Sequence, residues 1–494
     1  MKISIRKIIQ SKHLFIYLLP VFFVLHGYTE NFDFVPVKDA LLLLSLYLGC
    51  SLLITLIFRV FYRNFTKAGL VAFLIMAFYF FFGSVHDGLK KIFPGSFVTK
   101  YSSILPVLFI FFAVIIILLR KRKKPLLKIT SYLNVLLLLL VMMDSVRLIT
   151  RLFNKNRDEV ELPKGFSVCP DCRKPDIYFI LADEYAGNTE LKNIFNFDDS
   201  IFLNELLNRG FHTVTDSYSN YNYTPFSLAS ILSMNYLKLE GNQRSKHDLS
   251  YCYETIRDND FLKFLRYHGY TFYNYSVFDF KGQPARVREN FLPAKTRLIT
   301  SQTFLNRIDR DLRFNLITRF KSKKAIEREI YSNKENNENI FRLTIKITNE
   351  KINKPKFVYT HLMMPHYPYY FDKNGKEMSF EKLTEGNQVN QQAYIEYLQY
   401  ANKRLLALID HIQQASVNPP IIILMGDHGF RHFTRPVESK YYFLNLMSVY
   451  LPSKNYAAFH DSLSCVNFFR SFLNTEFNQH LPYLKDSTIY LNDD

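Results

Sequence analysis

Apolar and polar residues alternate very unevenly along this chain, and the unevenness divides it in two. Residues 1–153 are dense in Leu, Ile, Val and Phe, whereas residues 160–494 mix apolar and polar positions as a water-soluble globular domain does. Five apolar stretches stand out in the first part, at about 9–27, 39–62, 67–87, 102–119 and 128–150. Each is near the roughly 20 residues a helix needs to cross about 30 Å of hydrocarbon, so about five transmembrane helices are expected. The first follows the basic stretch MKISIRK, as the core of a signal peptide would. No small-residue cleavage site follows it and four further spans do, so an uncleaved helix is expected.

In the second part the apolar runs shorten. Residues 154–174, NKNRDEVELPKGFSVCPDCRK, read as a polar linker, and a domain is expected over 175–494. DIYFILA, KFVYTHL at 356–362 and PPIIILM at 419–425 have the length and apolarity of buried strands. Residues 196–211 and 388–416 read as helices, and 305–356, rich in Arg, Lys, Asn and Glu, as solvated helix and loop. TPFSLASILSMNYL starts a further helix, with Pro225 at the first helical position and Thr224 as its cap. Buried strands alternating with helices predict an α/β domain with a mainly parallel central sheet, in which ligands collect beyond the carboxyl ends of the strands.

Charge then orients the membrane part. Lys2, Arg6, Lys7 and Lys12 precede the first span, Arg59, Arg63 and Lys67 flank the second connection, and RKRKK at 120–124 joins the fourth and fifth. Lys90, Lys91 and Lys100 run the other way, but RKRKK is denser. The positive-inside rule therefore places the amino terminus in the cytoplasm and the 175–494 domain outside. Topology and an anionic membrane surface explain much of the formal charge of +18, and nucleic acid is not an expected partner. The lone CPDC has no second CxxC to complete a zinc cage, so a local disulfide between Cys169 and Cys172 is expected.

Candidate chemistry stands where the predicted strands end: Asp183 and Glu184, His361 and His366, Asp427 and His428. Carboxylates with an imidazole suit zinc or manganese, which would lower the pKa of a bound hydroxyl and neutralise phosphoryl charge. Thr224, before a predicted helix, is the candidate hydroxyl, with Ser227 and Ser230 as substitutes. Each piece also has a plain reading. An acidic pair can cap a helix, Thr224 can be an ordinary N-cap, His361 and His366 can be satisfied by backbone, and Arg431 can be a loop cation.

DIYFILADEY, SNYNYTPFSLASILSMNYL, FVYTHLMMPHYPYYFD and IIILMGDHGFR, followed by NLMSVYLPSKNY and DSLSCVNFFRSFLN, together resemble the alkaline-phosphatase/sulfatase superfamily. The likeness is to its membrane-anchored branch, which includes phosphoethanolamine transferases and lipoteichoic acid synthases. That resemblance implies a divalent metal, zinc or manganese, held by Asp183, Glu184, Thr224, Asp427 and His428. It implies Thr224 as nucleophile, and His361 and His366 as groups that bind phosphate or protonate a leaving oxygen. Sulfatases require Cys or Ser in C/S-x-P-x-R; here Thr224-Pro225-Phe226-Ser227-Leu228 lacks the arginine, and threonine cannot become formylglycine. The expected activity is transfer of a phosphoethanolamine- or phosphoglycerol-type group from a phospholipid to an envelope glycan or lipid, through phosphothreonine, at the bacterial inner membrane. A hydrolase of the same fold and a non-catalytic envelope protein are the alternatives.

Overall fold

The structure, a computed structural model, describes residues 13–31, 35–93, 96–155, 161–239, 241–242, 244–283, 285, 296–308, 327, 330–384 and 386–492. The chain forms two compact units, each discontinuous in sequence. One is Met1–Asp158 with Arg288–Lys321; the other is Glu159–Val287 with Ser322–Asp494. Among the described residues of the later segment, 296–308 group with the amino-terminal unit.

Among the described residues, that unit contains five long apolar helices: α1 (Phe15–Glu30), α2 (Val37–Tyr62), α3 (Phe65–Ile92), α4 (Tyr101–Lys121) and α5 (Leu127–Lys155). Four of them, α2 to α5, are long and apolar enough to cross a membrane. The described part of α1 has 16 residues, and residues 9–12 of the expected first span lie outside the described residues. None of the most apolar window of α4 is buried within the protein, as suits a helix whose partner is lipid. Several polar groups in these helices are met by protein partners. The Asn134 Oδ1 accepts from the Phe15 N–H at 2.8 Å, and Ser51 Oγ donates to the Ile16 carbonyl at 2.8 Å. Asp144 stands 3.1 Å from His26 Nδ1. Residues 296–308 pack into the same unit. The Gly83 N–H donates to the Gln302 carbonyl at 2.8 Å, and buried Arg307 pairs with Asp87 and donates to the Gly83 carbonyl. A side chain at residue 83 would collide with Gln302, which is why glycine stands there.

The second unit is built on a six-stranded sheet: β1 (Ile177–Ala182), β2 (His212–Thr213), β3 (Thr271–Tyr275), β4 (Lys356–Leu362), β5 (Ile421–Gly426) and β6 (Met447–Tyr450). Their order is β2-β6-β5-β1-β4-β3, with β1, β3, β4 and β5 mutually parallel and β6 antiparallel to both of its neighbours, β5 and β2. The three strands expected from the sequence are the three central ones, and each is buried along its whole length. Both faces are covered. Ile177, Phe179 and Leu181 point to one core with helices α6 (Thr224–Ser233), α7 (Asp260–Tyr267) and α10 (Cys465–Glu476). Tyr178, Ile180 and Ala182 point to the other, with α8 (Ser332–Asn349) and α9 (Gln391–Ala415). Two-sided burial is why these strands are apolar runs rather than alternating ones. The helix expected over 388–416 is α9, whereas 196–211 holds only Ser200–Asn208. Within 305–356, α8 is not simply solvated: Ile340, Phe341, Thr344 and Ile347 are buried against the sheet. Cys169 and Cys172 form the expected disulfide.

The turn after β1 is pinned from below. Tyr185 Oη donates to Asp199 Oδ2 at 2.8 Å, and Asn402 of α9 donates to Asp199 Oδ1 at 2.8 Å. Burial pushes the Asp199 carboxyl up to about 7, against the hydrogen bonds that favour its charge. A carboxyl raised in the folded state binds its proton more tightly than in the unfolded chain. Its stabilisation is therefore full below the unfolded pKa and fades as pH rises towards 7. Asp199→Asn should remove that component, so that stability falls less between about pH 4 and pH 7 than in the parent, by on the order of a few kcal/mol. Chemical denaturation at several pH values checks this.

Candidate metal centre and active site

Strand register brings the site together. Ala182 of β1 pairs with Gly426 of β5 on one side and Leu362 of β4 on the other. The next residues, Asp183 and Asp427, therefore emerge side by side at the carboxyl edge, with His361 one step back on β4. Asp183 donates its N–H to the Leu362 carbonyl at 3.0 Å, which extends the ladder by one bond.

Asp183, Asp427 and His428 are wholly buried, and one donor atom from each lies within 4.8 Å of the others. The donors are prepared for a cation. His428 Nδ1 lies 2.7 Å from the Gly429 carbonyl, so its N–H is held there and Nε2 keeps its lone pair. Asp427 Oδ1 accepts from the Glu184 N–H at 2.8 Å, while Oδ2 has no hydrogen-bond partner. Asp183 Oδ2 lies 3.2 Å from His361 Nε2, while Oδ1 has none. Two buried carboxylate oxygens without hydrogen-bond partners, with His428 Nε2 3.2 Å from one of them, Asp427 Oδ2, fit a divalent cation.

The electrostatics agree. Burial and the neighbouring Asp183 charge push the Asp427 carboxyl up. Burial acts the same way on Asp183, but His366, His361 and His428 outweigh it and hold that carboxyl below the ordinary range. A positive charge between the two acids would let both ionise.

Thr224 Oγ1 lies 3.4 Å from His428 Nε2, at the first turn of α6. The expected cap is corrected here: Tyr223 is the N-cap residue and no side-chain cap bond is made, so the Thr224 hydroxyl is not used for capping. The substitutes are excluded by their partners, since Ser227 Oγ donates to the Asp427 carbonyl at 2.6 Å and Ser230 Oγ to the Asn235 carbonyl at 2.9 Å.

Two other expected residues fall elsewhere than predicted. Glu184 follows Asp183 but does not join its group; its φ of 60° turns the carboxylate away, to accept the Arg431 N–H at 3.0 Å and to face His366 and His432. His361 is wholly buried behind Asp183, with Tyr359 Oη 3.0 Å from its Nδ1. Its Nε2 faces the Asp183 carboxylate at 3.2 Å, whereas His366 is only partly buried. Sequence reasoning missed His432, four residues after His428, and Glu190, whose Oε1 accepts from the Phe430 N–H at 3.1 Å. Burial pushes the Glu190 carboxyl well up, and its bond to the Phe430 N–H braces the loop.

The glycines of GDHG answer to close contacts. A Cβ on residue 426 would lie 2.5 Å from the Tyr185 carbonyl oxygen, and one on residue 429 would lie 2.2 Å from that of Tyr441. Backbone cannot yield as a flexible side chain can. Gly429→Ala should therefore destabilise the second unit by about 2–4 kcal/mol and displace His428, lowering cation affinity; thermal unfolding with and without metal reads both.

A family model described as Sulfatase matches residues 179–470. Among solved structures, the C-terminal periplasmic domain of EcEptC from Escherichia coli is similar at 12% identity, over 67% of this chain and 93% of that one, with a TM-score of 0.40. The C-terminal periplasmic domain of phosphoethanolamine transferase EptC from Campylobacter jejuni is similar at 13% identity, over 64% and 94%, with a TM-score of 0.35. BT1596, a 2-O GAG sulfatase, is similar at 12% identity, over 64% and 73%, with a TM-score of 0.40. No curated protein matches the chain.

Proposed function

The chain belongs to the sulfatase family, and from that premise we propose that it is a membrane-anchored transferase of phospho-substituents, acting outside the bacterial inner membrane. The observation that carries this reading is the Thr224 hydroxyl, set at a helix start 3.4 Å from His428 Nε2 in the Asp183–Asp427–His428 group. A divalent cation bound there would favour the Thr224 alkoxide and neutralise phosphoryl charge.

Thr224 Oγ1 attacks the phosphorus of a phospholipid head group; the new Oγ1–P bond forms as the P–O bond to diacylglycerol breaks, and the departing oxygen takes up a proton. The positive end of the α6 dipole favours the phosphate oxygens. A hydroxyl of an envelope glycan or lipid then attacks the same phosphorus, releasing Thr224. Asp183 and Asp427 hold the centre, His361 and Tyr359 fix Asp183, and His366 binds phosphate or supplies the proton. The lack of any formylglycine precursor at position 224 supports phosphoryl over sulfuryl chemistry. The apolar helices suit a donor confined to the bilayer.

Membranes containing the protein, given phosphatidylethanolamine or phosphatidylglycerol labelled in the head group, test the proposal. Label appearing on a larger lipid or glycan, with diacylglycerol formed in equal amount, is the expected result. Free head-group phosphate alone would make the protein a hydrolase, and no turnover would favour the non-catalytic alternative.

A further inference from the structure

We propose that the cleft between α3 and α4 holds one acyl chain of an outer-leaflet phospholipid, with the lipid's phosphate set among Lys90, Lys91 and Lys100. The cleft has a volume of about 310 Å³, and apart from His86 and Ser103 its lining is Phe, Val, Ile and Leu. Its floor is buried and its rim is open. Phe82, His86 and Ile104 are buried, whereas Val85, Val98 and Val107 are exposed. Exposed valines on spanning helices face lipid tails, so a chain can enter sideways from the bilayer.

The pattern along α3 fixes which way up the ligand lies. Residues four apart share one face of a helix, and Phe78, Phe82, His86 and Lys90 stand at that spacing. That face runs from aromatic carbon through an imidazole to an ammonium, as a phospholipid runs from tail through glycerol to phosphate. The cleft follows α3 from Phe78 to Leu89, about 16 Å of helix rise. That is the depth of one leaflet in a hydrocarbon core about 30 Å thick. Three spans from a cytoplasmic amino terminus, this end of α3 is extracytoplasmic, so the leaflet is the outer one.

Two features point to a ligand rather than to a plain gap between helices. Lys90, Lys91 and Lys100 stand on the side that the positive-inside rule disfavours, so topology does not explain them. Lys91 and Lys100 are exposed, and lipid phosphate is the anion that a membrane surface offers them. The second feature is His86, whose Nε2 donates to the Thr99 carbonyl at 2.9 Å while its buried Nδ1 has no hydrogen-bond partner. A head-group hydroxyl or ammonium would supply the donor that this nitrogen lacks. The floor is also braced, since Phe304 stands edge-on to Phe82 with ring centroids 5.0 Å apart.

This inference rests on the membrane anchoring proposed above and gives the donor lipid a place to wait, but it does not depend on turnover. The test uses the full-length protein in detergent micelles with phosphatidylethanolamine carrying a photoreactive diazirine in one acyl chain. Labelled peptides are mapped by mass spectrometry after irradiation. Label concentrated on residues 78–108, and displaced by excess unlabelled phosphatidylethanolamine, is the expected result. Val85→Trp with Val107→Trp fills the rim from lipid-facing positions and should lower that label on the order of tenfold. Lys91→Glu with Lys100→Glu should lower it as well. Label spread evenly over α2 and α5 and not displaced is bulk contact and would overturn the proposal. Displacement by free palmitate but not by the phospholipid would overturn it too. Should the variants misfold by circular dichroism, the label map and its displacement in the parent decide. Label on 78–108 without head-group transfer would leave this inference standing while the transferase reading falls, and transfer with bulk labelling alone would do the reverse.

Discussion

Thr224→Ala is expected to stop phospho-group transfer, by on the order of 10³-fold or more, because it removes the attacking oxygen itself. The fold should barely notice. The Thr224 side chain makes no capping bond, Pro225 still stands in the first turn of α6, and alanine suits a helix, so the stability change should stay within about 1 kcal/mol. Cation content should change little, since Asp183, Asp427 and His428 remain. Measuring labelled head-group transfer, bound metal and thermal unfolding on one preparation separates a lost nucleophile from a lost centre. Transfer persisting in the alanine variant would refute the role given to Thr224. Thr224→Ser, which keeps an oxygen on Cβ, should retain measurable activity.

Asp427→Asn has an effect whose sign depends on the cation. Asparagine can still accept from the Glu184 N–H, as Asp427 Oδ1 does at 2.8 Å, so the turn should hold. Its amide is a poor ligand, and activity should fall on the order of 10³-fold together with loss of one metal. Without metal, the parent keeps two acids buried together, and burial plus the Asp183 charge already raises the Asp427 carboxyl. The variant removes that repulsion. In chelator at neutral pH it should unfold at a temperature equal to or above that of the parent. With metal added the order should reverse, since only the parent gains the full binding energy, about 2.7 kcal/mol at a hundredfold excess over Kd. Melting curves with chelator and with zinc check both signs, and a parent more stable than the variant under both conditions would argue against a cation shared by the two acids.

The legible parts were those whose physics is local. Long apolar windows mark helices in lipid because hydrocarbon offers no partner to a backbone or a charge. DIYFILA, KFVYTHL and PPIIILM were readable as central strands because burial on both faces leaves no polar positions. Their ends located Asp183, His361 and Asp427, since a parallel sheet gathers such ends at one edge. The return of residues 296–308 to the helical unit had no such signal, because the contacts that define it, such as Gly83 with Gln302, join positions far apart in sequence.

Composition and periodicity by themselves determined that this chain has a helical membrane part and an α/β part, and that acids, imidazoles and a threonine hydroxyl stand near strand and helix ends. Which of them meet was decided only by tertiary structure. Register puts Asp183 against Asp427, a left-handed turn sends Glu184 towards His366 and His432, and the stacking of strands buries His361 behind its carboxylate. The physical reason is that coordination depends on a few ångströms and on which lone pair is already used. Both are properties of hydrogen bonds between residues hundreds of positions apart, and a linear pattern does not contain them.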